Sequence, residues 1–329
     1  MLSLRENALA ILHGEQPDFY GDFMDALQWV PDPVMASDAI AKDGKPHKDS
    51  WGTVKVFPPD APGAHPQLNQ DNLVIPDIEE WQDYLKVPSL DDLDWESARE
   101  AAKSIDRGKH FAALFMATGL FERSHFLMGM EDAFCNYLEY PDEMKELLSA
   151  VADYKIREIE MAAEYFHPDV IFYQDDWGSK QNLFLPPQTW RDIIKPLTAK
   201  ISDAIHDAGA LYVHHADCVC QPIVGDMVDL NVDIWQGVIP ENDIVEIQRI
   251  TQGKLPMIGG IDVPAIDVEG LSEEAIRAEV RRAIDTYCPG GKFFPGMPGG
   301  ACYVTRNNEI VRDELVKYGR QWALEHPVA

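Results

Sequence analysis

From residue 110 onward, short apolar runs alternate with amphipathic helical patterns, and this rhythm constrains the fold more than any other feature of the sequence. The runs are HFAALFMA (110–117), DVIFYQ (169–174), ALYVHH (210–215), VDIWQ (232–236), Leu255–Gly260 and Lys292–Pro295. The intervening spacing predicts helices over Pro141–Phe166, Pro187–Ala208, Pro222–Leu230, Ile244–Ile250 and Ser272–Tyr287, with a closing helix over Glu309–Glu325. Pro196 predicts a break in the second of these. Strand–helix alternation implies a parallel sheet covered by helices. The N-terminal part is expected to add two more strands, which leaves a closed eight-fold barrel and an open doubly wound sheet as rivals. No Gly-x-Gly-x-x-Gly follows the first strand, so the dinucleotide-binding open sheet has no support. Polar clusters follow successive strands: Gln174-Asp175-Asp176, His214-His215-Ala216-Asp217, Gln236-Gly237 and Gly260-Ile261-Asp262. In a closed (β/α)8 barrel these converge on one mouth, and the barrel is the architecture we expect.

Before residue 110 the pattern is different. A helix is expected from Ser3 to His13, ended by Gly14. Residues 18–76 are rich in Pro and aromatic side chains, among them Trp29, Trp51 and Phe57, and read as an ordered covering layer. At 329 residues the chain is expected to form one domain, with 1–106 as N-terminal helices and cover and 107–329 as the main βα repeats. Asp and Glu number 56 against 28 Lys and Arg, a formal charge of -28 that argues against nucleic acid or an anionic membrane as partner. No apolar run approaches the ~20 residues of a membrane span. The N-terminus reads as an amphipathic helix without a basic leader, and five Cys are too sparse and odd for a disulfide framework. A cytoplasmic location is expected. Cys218 and Cys220 are spaced C-x-C, which fits neither a redox C-x-x-C nor a zinc ribbon.

The residues best suited to chemistry lie at strand ends. Alternation puts His215 and Val213 on one face of their strand and Tyr212 and His214 on the other. His215 and Asp217, two apart, can both reach the mouth, and imidazole with carboxylate suits zinc. Asp175 and Asp176 can bind a metal or act as acid and base, although adjacent residues on a strand point opposite ways, so one is expected to be essential. Glu122, just past the 110–117 strand, is either a ligand or base or a helix N-terminal Glu favoured by the dipole. His215, Asp217, Asp176 and Glu122 are the candidate metal ligands, and Asp175 joins them as a catalytic candidate. Trp29, Trp51, His214 and Tyr212 are the candidates for a substrate pocket. The sequence contains no G-x-S-x-G, no P-loop and no H-E-x-x-H.

These residues, in this order, resemble the uroporphyrinogen decarboxylase superfamily. Arg5–Asp18 (RENALAILHGEQPD) resembles the family's R-E-x-x-L-x-x-L-x-G-x-x-P-D start. Thr118–Glu122 through Leu127–Glu131 resembles its strand–helix junction with L-x-G-x-E, and Asp175-Asp176-Trp177-Gly178 through Lys195-Pro196 its D-D-x-G…K-P block. His215-Ala216-Asp217 resembles H-x-C or H-x-D, and Pro295-Gly296-Met297 the final P-G-C or G-H-G turn. The resemblance implies a distorted (β/α)8 TIM barrel with an N-terminal covering segment. The haem-pathway branch carries an early R-Q-A-G-R motif for substrate carboxylates. Here no Lys or Arg stands between Arg5 and Lys42, and the late His falls at Met297. The other branch moves methyl groups to or from corrinoid proteins. Its H-x-C…C zinc site is matched by Asp217 and Met297 in place of the thiolates, a harder donor set suited to an oxygen leaving group.

The resemblance therefore implies a corrinoid-dependent methyltransferase. It would take a methyl group from a small methylated donor, such as an aryl methyl ether, to a corrinoid (cobalamin) carried by a partner protein, with Zn2+ at the site. Gln236, Gly296 and Met297 would border the cofactor. The expected partners are the small methylated substrate, the corrinoid protein and a second copy of the chain in a homodimer. The alternatives are a decarboxylase of a tetrapyrrole or smaller acid, and a non-catalytic corrinoid- or porphyrin-binding barrel. Because the first 106 residues are read as cover without a core of their own, limited proteolysis is expected to release no stable soluble fragment ending near residue 106.

Overall fold

The computed structural model describes residues 1–61 and 63–328. The strands are β1 (Leu27–Trp29), β2 (Pro46–Lys48), β3 (Val54–Val56), β4 (His65–Pro66), β5 (Phe111–Met116), β6 (Val170–Gln174), β7 (Leu211–His215), β8 (Ile234–Val238), β9 (Met257–Gly260) and β10 (Phe293–Gly296). Seven of them form one all-parallel curled sheet in the order β1-β5-β6-β7-β8-β9-β10. This is the distorted TIM-like barrel that the alternation called for. Among the described residues no helix is long and apolar enough to cross a membrane.

The N-terminal part adds one strand to the barrel sheet, not two. The remaining short strands, β2–β4, pair antiparallel in the cover. Between β10 and β1 the seam is filled by side chains. Phe23 packs its ring on Phe111 at 5.6 Å and on Phe294 at 5.2 Å. Asp22 caps the 3-10 turn Phe23–Ala26 by accepting from the Met24 N–H at 3.0 Å, and that tight turn cannot continue a ladder. Its carboxyl also abuts Gly296, where a Cβ would lie 2.8 Å from Asp22 Oδ2. Gly296 is therefore explained by closure of the seam.

The cover is fastened through buried charge. Arg123, on the Leu120–Met128 helix that follows β5, reaches Asp38 and Asp49 at 3.5 Å each and stacks on Trp51 at 4.6 Å. Lys55 pairs with Asp49 at 2.7 Å. Burying such charges is tolerable only because each is paired. Beneath them Lys155 of the Pro141–Phe166 helix donates to the Ala117 carbonyl at 3.0 Å and pairs with Glu158 at 3.1 Å.

The helix Pro187–Asp207 runs unbroken through Pro196, contrary to the predicted break. Its buried face, including Ile193, Ile194, Leu197 and Ile201, continues across the Pro, and Lys195 is tied to Asp226 at 2.8 Å and Asp229 at 2.9 Å. Packing outweighs the one lost backbone hydrogen bond. The strand expected at 232–236 lies two residues later, because the Val232 N–H closes the preceding helix on the Met227 carbonyl.

Burial pushes the Asp22 carboxyl up to about 7. A carboxyl raised on folding contributes stability that is complete below its unfolded pKa, near 4, and lost as the pH rises through 7. Asp22→Asn is exempt from that loss. Its melting temperature relative to wild type is expected to be higher at pH 8 than at pH 5 by roughly 3 °C or more, measured by calorimetry at both pH values.

Candidate active site at the C-terminal mouth of the barrel

Parallel register aligns Gln174 of β6 with His215 of β7, His215 with Gln236 of β8, and Gln236 with Ile258 of β9. These form one inward row at the C-terminal ends of the strands, where barrel chemistry is usually placed. The His215 ring stacks on Phe172, two residues before Gln174, with centroids 5.7 Å apart. Its Nδ1 is hydrogen-bonded to Gln236 Oε1. Gln236 is held in that orientation because its Nε2 donates to the Pro298 carbonyl at 2.9 Å. His215 therefore donates through Nδ1, and Nε2 is the ring nitrogen left to face a ligand.

Asp176 and Asp217 complete the cluster. One ligand atom from each of Asp176, His215 and Asp217 lies within 4.8 Å of the others, and all three residues are half-buried. Asp176 Oδ1 also accepts from the Asp217 N–H at 3.1 Å, which joins the loops after β6 and β7. Burial raises the Asp176 carboxyl, the neighbouring His215 lowers it and Asp217 raises it again.

Asp175 has another task. Fully buried, it accepts from the N–H groups of Phe121 and Glu122 at 3.1 Å each and from Trp177 Nε1 at 2.9 Å. It caps the Leu120–Met128 helix from a different segment of chain, which the lone sequence pair Asp175-Asp176 did not reveal. Gly119 lets it approach, since a Cβ there would lie 2.2 Å from Asp175 Cβ. Burial pushes Asp175 up to about 6 despite these three donors.

The other candidates separate into those at the mouth and those away from it. Glu122 stands outside the three-donor cluster. It lines a cavity of about 320 Å3 under the cover with Asp38, Lys55, Phe126 and Gln174, and burial together with Asp176 and Asp175 raises its carboxyl well above the usual range. Trp29, Phe115, Phe172, Gln174, His215 and Gln236 line a second cavity of about 240 Å3, closed on one side by Pro298–Gly300. A third, of about 590 Å3, touches Asp217 and the same Pro298–Gly299 turn.

Trp51 is buried against Tyr154 and Arg123 in the cover and lines none of these cavities. His214 and Tyr212 are likewise not pocket residues. They face the helix layer, where Tyr212 Oη meets His214 Nδ1 at 2.9 Å and His214 stacks on Trp177 at 3.9 Å. Burial and the adjacent His215 push His214 down to about 3, so it is neutral. Met297 is buried with its sulfur 3.7 Å from Cys302 Sγ, and Gly296 serves the seam, so the turn meets the cavity through Pro298–Gly300 instead. The sequence reading missed Phe115 and Phe172, although period-two alternation back from Gln174 puts Phe172 on its face, and the ladder pairs Phe172 with Phe115.

A family model described as Uroporphyrinogen decarboxylase (URO-D) matches residues 61–299. The chain belongs to the uroporphyrinogen decarboxylase family. The match spans β5–β10 and every residue of the Asp176–His215–Asp217 cluster. Among solved structures, a methyltransferase from Methanosarcina mazei is similar over 98% of this chain and 99% of that one, with a TM-score of 0.63 and 14% identity. At that identity the likeness shows the shared fold. No curated protein matches the chain in sequence.

Within this family barrel, truncation at Asp175 is expected to cost stability and truncation at Asp217 to cost cation binding instead. Asp175→Ala strands three buried donors and should lower the unfolding free energy in urea by on the order of 3 kcal/mol. Asp217→Ala should change stability by less than about 1 kcal/mol while weakening any divalent cation bound at the cluster.

Proposed function

We propose that this protein is a methyltransferase that removes a methyl group from a small donor, an aryl methyl ether by preference, and passes it to a corrinoid on a separate protein. The observation that carries the reading is the Asp176–His215–Asp217 cluster, which shares His215 with the wall of the aromatic cavity. Three N/O donors with a position left open suit a catalytic zinc ion. When bound, zinc would supply Lewis acidity for the oxygen that departs from the methyl group.

The chain's own residues have assignable parts in this reading. His215 offers Nε2, because Nδ1 is committed to Gln236. Asp176 and Asp217 each offer a carboxylate oxygen. Gln236 fixes the imidazole through a bond chain that ends on the Pro298 carbonyl. Trp29, Phe115 and Phe172, packed on one another with centroids 5.5–6.1 Å apart, hold an aryl ring and keep water away from the reacting bond. Decarboxylation of a many-carboxylate tetrapyrrole is less well supported, since no Lys or Arg lines the His215 cavity among the described residues. A second copy of the chain, as a homodimer, is proposed for the assembly.

The test combines metal analysis with methyl transfer. The purified protein is expected to bind about one zinc, and chelation should stop formation of methylcorrinoid from a reduced corrinoid protein and an aryl methyl ether, followed by absorbance. Zinc should restore the wild type and fail to restore His215→Ala. Gln236→Leu should weaken zinc binding by about 10–100-fold, and it should lower the stability of the metal-free protein by about 1–3 kcal/mol because it strands His215 Nδ1 and the Pro298 carbonyl. Full activity in the chelated protein would refute the metal's role.

A further inference from the structure

The C-x-C pair, Cys218 and Cys220, has no part in the chemistry assigned so far, yet the fold brings its two sulfurs into contact. Cys218 Sγ and Cys220 Sγ lie 3.4 Å apart, and both residues are buried. One side chain shapes the bend between them. Asn242 accepts from the Cys220 and Gln221 N–H groups at 3.1 Å each and donates to the Cys218 carbonyl at 3.0 Å. That bracket spans Val219 and holds the two thiols on one side of the chain. Cys288 and Cys302 are buried as well, but neither makes a thiol–thiol contact among the described residues, and Cys302 instead meets the Met297 thioether at 3.7 Å.

The pair is also joined to the cation cluster. Cys218 directly follows Asp217. The Asp217 N–H donates to Asp176 Oδ1 at 3.1 Å and the Val219 N–H to the Ser179 carbonyl at 2.9 Å, so the chain is tied to the loop after β6 on either side of Cys218. The Cys218 hydrogen bond, burial and the Asp176 carboxylate together hold the Cys220 thiol well above its usual range. The resting pair is therefore a dithiol, and an oxidant reaches it when the loop 217–220 opens. Once one sulfur has reacted, the other is already beside it.

We propose that Cys218 and Cys220 are an oxidation site: hydrogen peroxide converts them to a disulfide, and the disulfide weakens cation binding at Asp176–His215–Asp217. One thiol sulfur attacks a peroxide oxygen, the O–O bond breaks, and a water leaves a sulfenic acid behind. The second thiol displaces that hydroxyl as another water, and the S–S bond forms. The two thiols give up two electrons and two protons, and the peroxide takes up both. A disulfide holds its sulfurs about 2.05 Å apart. Closing to that length from 3.4 Å contracts the chain around Val219 and pulls on Asp217 against its tie to Asp176. The oxidised protein is expected to bind zinc about tenfold more weakly. By linkage, saturating zinc raises the reduction potential of the pair by the equivalent of that tenfold change, about 30 mV. The inference rests on the cluster as a cation site and not on the methyl-transfer reaction.

The test treats the reduced, metal-free full chain with hydrogen peroxide, alkylates the remaining thiols in denaturant and maps the products by mass spectrometry. The peptide carrying Cys218 and Cys220 is expected to lose two hydrogen masses and resist alkylation, while Cys288 and Cys302 stay alkylatable. Dithiothreitol should reverse the change. Zinc affinity, measured by competition with a chelator, should fall about tenfold on oxidation and recover on reduction. In glutathione redox buffers, saturating zinc should move the midpoint of the pair up by about 30 mV. Cys220→Ser, with Cys220→Ala as a second variant, should keep the zinc affinity of the reduced protein and lose its response to peroxide. A pair that stays reduced while Cys288 or Cys302 oxidises would overturn the assignment. A disulfide that leaves zinc affinity unchanged would overturn the coupling alone, and a reduced protein that binds no zinc would sink the metal reading and the coupling together. The wild-type mapping and zinc titration need no variant and stand even if the substitutions impair folding.

Discussion

The buried carboxylate of Asp175 is the point on which the site's geometry depends. It sits at the end of β6, yet its three donors come from the helix after β5 and from Trp177. Two neighbouring βα units are thereby locked to each other at the mouth. With Asp175 turned toward the helix terminus, the next residue, Asp176, is presented to His215 and Asp217. The cost is a carboxyl pushed up to about 6 and a glycine at 119, since no side chain fits between the helix start and the carboxylate. One of two adjacent aspartates thus organises backbone while the other is available for chemistry.

The distribution of charge around the mouth follows from how the cover is attached. Two cations beneath the cover are engaged with its acids, Arg123 with Asp38 and Asp49 and Lys55 with Asp49, while Lys180 lines the largest of the three mouth cavities beside Asp217. Lys155 is consumed by Glu158 and the Ala117 carbonyl. Arg123, Lys55 and Lys155 stabilise the junction and are not spare for a polyanionic ligand. Beside His215 this leaves an aromatic space with amide groups as its polar contacts and carboxylates gathered next to it. An enzyme that handled many substrate carboxylates would need the reverse arrangement.

The barrel's irregularity has a local cause. Its sheet is continuous over seven strands, and the eighth position is taken by Phe23 and the Asp22-capped turn. That solution explains Gly296, whose sequence context looked like a ligand-binding turn. It also moves the cavity contact downstream to Pro298–Gly300.

By itself the sequence determined the core strands from residue 110 onward and most of the helices between them, though not the helices Leu120–Met128 and Met130–Glu139. Period-two and period-3.6 hydrophobic patterns are local properties, and they mark the six core strands to within about two residues. It also set His215 and Asp217 two residues apart at a strand end, but Asp217 lies beyond β7, so its approach to His215 and Asp176 depends on the loops after β6 and β7. Tertiary structure alone decided the division of labour between Asp175 and Asp176, the stacking of His214 on Trp177, the exclusion of Trp51 from the pocket, and the continuity of the helix through Pro196. Each of these depends on what the neighbouring segment presents: a helix N-terminus 53 residues earlier in the chain, a stacked Trp177, or an Arg123 guanidinium. Hydrogen-bond donors and packing partners brought together across such distances leave no periodic trace in the sequence, so only the folded chain could assign them.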